Sequence, residues 1–185
     1  MPLLLPRVVV CRGLVTGMVL GLAFTAAAQD GKSVVLAKQL GTALESAKLD
    51  AVAAKDPAAA DSFVAALYFP GAQLLVVSAR YSAPQLLVTR LDKKEYRDTY
   101  IDLSSASIPE SKVFVQDAGA DGLRARSQDG QPFDIVEMQG KPTNFDGEWK
   151  KQKMSEQEYL KVFTTADDRY TEMLTALIAQ LKKTS

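Results

Sequence analysis

From Asp117 to Gln131 the chain reads DAGADGLRARSQDGQ, which sets two Asp-Gly pairs and two arginines within fifteen residues. Such spacing suits either a calcium loop or a pair of tight turns. An EF-hand loop requires oxygen ligands at its first, third and fifth positions, glycine at the sixth and a bidentate glutamate at the twelfth. Asp117, Asp121 and Gly122 meet the first, fifth and sixth, but Gly119 stands third and Gln128 twelfth. Arg124 and Arg126 would also bring positive charge beside the ion. Hairpin turns are therefore the expectation, because Asp-Gly is a favoured pair for them, and no metal site is expected.

Two places keep charge of a kind that binds ligands. Arg80-Tyr81-Ser82 joins the end of an apolar strand to a serine-capped helix start, where free N–H groups could receive an anion or a phosphate. Arg124 and Arg126 alternate with Leu123 and Ala125. On a strand they would share one face about 6.6 Å apart, a spacing that suits an extended anion. Against each stands a plain alternative: Arg80 pairing with a surface carboxylate, and the two arginines lying on a solvated strand face.

The carboxylate pairs Asp167-Asp168 and Asp98 with Asp102 invite comparison with the acid pairs of glycoside hydrolysis. Asp167 and Asp168 are adjacent on a helix, so they point about 100° apart. Both are read as solvated charge on the polar side. Tyr68, Tyr81, Tyr96 and Trp149 could line a pocket, although aromatics at such spacing more often belong to a core.

Absences bound the chemistry further. Arg7 and Arg12 precede the uncharged run Gly13 to Ala28, which ends in three alanines, the order of a secretory signal peptide cleaved between Ala28 and Gln29. The sole cysteine, Cys11, falls inside this segment and far from the cleavage point, so a lipid anchor there is not expected. The remaining 157 residues carry no cysteine and no histidine, and 20 basic against 22 acidic residues give a formal charge of −2. A Ser-His-Asp triad, a thiol nucleophile and an imidazole or thiolate metal site are thereby excluded from that part of the chain. No disulfide can hold it, and nucleic acid is not the expected partner of a chain with so little net charge.

These residues must be positioned by a scaffold whose elements the sequence also suggests. Ser33 to Ala54 has apolar residues at Leu36, Leu40, Ala43, Leu44 and Ala47, a helical period, with a possible break near Leu49 and a second short turn capped by Asp50. Phe63 to Phe69 and Gln73 to Tyr81 are apolar on both faces around Pro70-Gly71, a type II turn signal. They predict a hairpin in the middle of a sheet, covered on each side. Ser82 to Leu91 reads as a helix opened by a capping box, and the segment 96–103 fits helix or strand, with strand preferred for Thr99 to Leu103.

Lys112 to Asp117, Leu123 to Ser127 and Pro132 to Met138 read as three strands, followed by a loop around Trp149. From Ser155 onward a capping box with Glu158 opens a long helix. Its stripe comprises Tyr159, Phe163, Ala166, Tyr170, Met173, Leu174, Leu177 and Leu181.

The expectation is an α+β fold. An antiparallel sheet of about five or six strands, open or partly closed into a barrel, packs with three helices, the longest C-terminal. Residues 1–28 form the signal peptide and 29–185 a single domain without a membrane span. That domain is expected to be periplasmic or extracellular, non-enzymatic, and to bind a small ligand or a protein through Arg80, Tyr81, Ser82, Arg124 or Arg126. No cofactor is expected on this reading. The order of elements also suits a flavin-binding split barrel or oxidoreductase, with FMN held by Arg80 and Ser82. An assembly or scaffold role for the long helix is the third reading.

Overall fold

The computed structural model describes residues 30–80 and 111–184. The expected signal peptide, the helix over 82–91 and the ambiguous segment 96–103 lie outside these residues. The described elements are α1 (Ser33–Ala47), β1 (Ala51–Lys55), β2 (Ser62–Phe69), β3 (Gln73–Arg80), β4 (Ser111–Ala118), β5 (Ile135–Met138), β6 (Lys141–Asn144) and α2 (Glu156–Thr184). The strands form one six-stranded antiparallel sheet in sequence order, with β1 and β6 at its ends. The α+β class and antiparallel sheet are as expected. The sheet is not closed, so the barrel version of the fold is set aside. Two helices, not three, lie among the described residues.

The central hairpin follows from its turn. Ala72 N–H donates to Phe69 O at 3.0 Å, and Gly71 holds φ of 70°, the left-handed value that glycine takes without strain. Pairing then runs from Phe69 opposite Gln73 to Ser62 opposite Arg80. Because side chains alternate along a strand, the register sorts them into two apolar sets. Val64, Ala66, Tyr68, Leu74, Val76, Val113 and Val115 face both helices, while Phe63, Ala65, Leu67, Leu75, Val77, Ala79 and Phe114 make a separate buried cluster. This two-sided burial of β2 and β3 is what their unbroken hydrophobicity predicts.

All eight residues of the expected α2 stripe are buried, none more than 5% exposed. Burying a large apolar side chain stabilises by about 1.5–3 kcal/mol, so α2 is the principal apolar contribution to the helix-covered face. Its start is fixed by the capping box: Ser155 N–H donates to Glu158 Oε2 at 2.8 Å, and Glu158 N–H donates to Ser155 Oγ at 3.3 Å. Among the described residues, no helix is long and apolar enough to cross a membrane.

Four boundaries differ from the sequence reading. First, α1 ends at Ala47, where Lys48 turns left-handed with φ of 54°. Lys48 N–H then donates to Glu45 O at 3.0 Å and Leu49 N–H to Leu44 O at 2.9 Å, the two bonds of a Schellman cap. Second, residues 51–55, read as helix or a capped turn, form β1 because pairing with β2 outweighs the helix preference of Ala-Val-Ala-Ala.

Third, Leu123 to Ser127 is a loop with one isolated bridge, Asp30 to Arg124, and the next strand starts at Ile135 rather than Pro132. Fourth, Lys141 to Asn144, read as loop, is edge strand β6. An end strand needs only one hydrogen-bonding side, so Pro142 is tolerated there.

Candidate functional site

The DAGADG segment is a loop built around buried carboxylates. Asp117, fully buried at the end of β4, accepts Asp121 N–H at 3.1 Å, Gly122 N–H at 2.9 Å and the Tyr170 hydroxyl at 2.9 Å. Asp134, before β5, accepts Ala118 N–H at 2.9 Å and Arg124 N–H at 2.8 Å. Positive φ at Gly119, Ala120 and Gly122 aims these N–H groups inward, as in an anion-holding nest. Here the oxygens they meet belong to the chain itself.

Burial pushes Asp117 up to about 7, and burial reinforced by the Asp117 charge pushes Asp134 up to about 8. Burial, together with the Asp117 carboxylate, carries the Tyr170 phenol well above its ordinary value. No group of three or more His, Cys, Asp or Glu able to hold a metal occurs among the described residues.

Asp167 corrects the sequence reading, which placed it with Asp168 on a solvated face. It is 3% exposed and accepts Lys32 N–H at 2.6 Å, Ser33 N–H at 3.1 Å and the Ser33 hydroxyl at 2.6 Å. A carboxylate from α2 thus caps the N-terminus of α1, where unbonded N–H groups and the helix dipole favour negative charge. Ser33 Oγ in turn accepts Leu123 N–H at 3.0 Å, which ties this cap to the loop. Asp168 pairs with Lys32 at 2.7 Å on the surface. The legible signal was position: Asp167 falls between Phe163, Ala166 and Tyr170 of the apolar stripe.

A fourth buried acid, Asp56, accepts the Ser78 hydroxyl and both its oxygens take Arg169 Nη2 at 2.6 Å. Burial alone would raise this carboxyl, but the hydrogen bonds from Ser78, Arg169 and Ala58 hold it below its ordinary value. Together these carboxylates are spent on structure.

Of the proposed ligand residues, the three described ones, Arg80, Arg124 and Arg126, line three different grooves. Tyr81 and Ser82 lie outside the described residues. Arg80, exposed at the end of β3, approaches Asp61 at 3.7 Å and lines an open groove of about 600 Å3 with Lys112, Arg169 and Met138. Each of these three cations faces an acid: Lys112 meets Asp61 at 2.8 Å and Arg169 meets Asp56. Arg124 is held by Asp121 at 2.5 Å and by Asp30 at 3.3 Å. Tyr68 is core, its hydroxyl donating to Glu45 at 2.7 Å, and burial first, then Glu45, pushes it up to about 12. Tyr96, Asp98 and Asp102 lie outside the described residues.

Arg126 behaves differently from the other described arginines. It is exposed, and no carboxylate lies within ion-pair distance of it among the described residues. Its stem lies across Gly147, whose φ is 79°: a Cβ there would meet Arg126 Nε at 2.6 Å. Gly147 is itself fixed, its N–H donating at 3.0 Å to the Tyr159 hydroxyl, which donates at 2.7 Å to Ala125 O.

Trp149 follows two residues on, its ring 6.1 Å from that of Tyr159. Arg126, Trp149 and Phe133 line a groove of about 680 Å3, floored by the loop around Gln128 and Gln131. A smaller hollow of about 320 Å3, with Arg124 in its wall, shares Phe133 and that loop. Composition marked Arg126 and Trp149 separately; the fold sets them in one groove and adds Phe133. Comparison with known proteins finds no matching family model, no similar curated protein and no similar solved structure.

Proposed function

We propose that the chain is an exported binding domain without catalysis of its own, and that its ligand is a small anion held at Arg126. Export rests on the order of Arg7, Arg12, the uncharged run to Ala28 and the small residues that close it. The observation that carries the binding reading is Arg126: an arginine held across Gly147, with no carboxylate at ion-pair distance among the described residues, and opening into a groove of about 680 Å3. Small-molecule sites commonly span about 300–1,000 Å3 with a few placed polar groups, and a guanidinium binds carboxylates and phosphates in bidentate fashion.

Trp149 is the chain's single tryptophan, so its emission reports on this groove directly. Titration of the purified chain with acetate, benzoate, galacturonate and inorganic phosphate is expected to give a saturable change for at least one anion. Arg126→Ala is expected to weaken that response by about tenfold or more. Equal binding by wild type and Arg126→Ala, or no response to any of the four, removes the reading. Sustained turnover in a broad hydrolase and oxidoreductase screen would overturn its non-catalytic part.

A further inference from the structure

The groove is not a plain anion receptor, because acids share it with the arginine. Asp129 and Asp146 line it alongside Arg126, and the rim adds Lys150 and the Lys151–Glu148 pair at 3.0 Å. Asp146 is held in place, its Oδ1 accepting Glu148 N–H at 2.8 Å. Carboxylates in a receptor repel a polyanion but accept hydrogen bonds from hydroxyl groups. Gln128 and Gln131 add amides able to donate and accept, and Phe133, 37% exposed, and half-buried Trp149 add flat apolar faces.

Resting on the binding reading above, we infer that the ligand is an acidic saccharide: a hydroxyl-rich ring bearing one carboxylate per unit. Its carboxylate meets Arg126, its hydroxyls meet Asp129, Asp146 and the glutamines, and its C–H face lies on Trp149. Arg126 and Lys150, neither with a carboxylate at ion-pair distance among the described residues, stand beside Asp129 and Asp146, a near-even balance of charge that suits a sparsely charged ligand rather than a polyanion. Nucleotides and other polyphosphates are disfavoured by the same two acids. The openness of the groove to the loops suits a chain of such units, because the ends of the ligand need not be enclosed.

The test compares a galacturonate tetrasaccharide with its carboxyl-reduced galactose counterpart and with benzoate, read by Trp149 emission and by calorimetry. The expected result is saturable binding of the acidic tetrasaccharide, weaker by about tenfold or more for the neutral one and for Arg126→Ala. Asp146→Asn is expected to weaken the tetrasaccharide and leave benzoate unchanged. Calorimetry with Trp149→Phe, which keeps a flat ring, is expected to retain binding, whereas Trp149→Ala loses it. Thermal melts of each variant separate lost contacts from lost folding.

Arg126-dependent benzoate binding without saccharide binding overturns this inference and leaves the anion reading standing. Equal binding of the acidic and neutral tetrasaccharides also overturns it. Absence of any binding removes both.

Discussion

Asp167 and Arg126 are both charged side chains that lie against a glycine, and the contrast between them separates structure from function in this molecule. A Cβ at Gly31 would collide with the Asp167 carboxylate, as one at Gly147 would with Arg126. Asp167, however, is buried and takes three hydrogen bonds from Lys32 and Ser33, whereas Arg126 is exposed with no carboxylate at ion-pair distance among the described residues. A charge whose partners are all intramolecular is part of the scaffold. One held in position with its hydrogen-bonding capacity unspent is available to something else. The comparison extends to whole regions: the seam of Asp117, Asp134 and Asp167 against the groove of Arg126 and Trp149.

Glycine substitutions offer the strongest way to break this contrast. Gly122→Ala places a Cβ against the backbone of Val34 at a φ of 92°, so a loss of about 4 kcal/mol or failure to fold is expected. Gly130→Ala, in the loop beside the groove, meets nothing within 4 Å at a φ of 76°. Its cost is expected to be about 1 kcal/mol. Urea melts of the two variants measure both, and equal losses would erase the distinction between the regions.

Next in size is Asp167→Ala, which removes the cap of α1 and leaves the Ser33 hydroxyl without its acceptor. A cost of about 3 kcal/mol is expected from the same melts, and a loss below about 1 kcal/mol would return Asp167 to the solvated face the sequence suggested.

The seam should also be visible in pH. Burial raises Asp117 to about 7 and Asp134 to about 8, both above the ordinary 3.8. A carboxyl with a raised value in the folded state contributes stability below its unfolded value and loses it as pH climbs through the folded one. Stability is therefore expected to fall steadily as pH climbs from about 4 to about 9. Asp134→Asn, whatever its absolute cost, should flatten that slope. Asp56 works in the opposite sense, its lowered value removing stability only in acid below 3.8. A wild-type profile that is level from pH 5 to 9 would mean that both carboxylates are charged throughout.

The smallest effects sharpen the contrast from the other side. Thr171 Oγ1 is the one buried side-chain polar atom without a partner among the described residues. Thr171→Val is expected to be neutral or to stabilise by about 1 kcal/mol. Arg126→Ala is expected to change stability by less than about 0.5 kcal/mol in thermal melts. A larger loss there would recast Arg126 as scaffold.

What could be read from the sequence was whatever depended on local pattern. The stripe of α2 needs only the helical period, and its eight residues are all buried. The Pro70-Gly71 hairpin needs only turn chemistry. Strand β1 was illegible because AVAAK favours helix until β2 is present beside it. Leu123 to Ser127 misled in an instructive way: Leu123 and Ala125 are buried and Arg126 is exposed, as a strand would have it. The alternation comes instead from loop N–H groups bonded to Ser33 and Asp134. Of the site, Arg126 and Trp149 were visible as residue types, but Gly147 gave no sign that it would carry the arginine.

The cap on α1 also sets an order on assembly. Helix α1 leaves the ribosome well before α2, and the acid that completes its N-terminus stands 134 residues further along the chain than Ser33. Throughout synthesis up to Asp167, the first turn of α1 has bare amide groups and its apolar face lacks the α2 stripe. A helix of fifteen residues is marginal on its own in water. The nascent fold therefore remains open at α1 until α2 arrives, and it closes by a late meeting of the two helices.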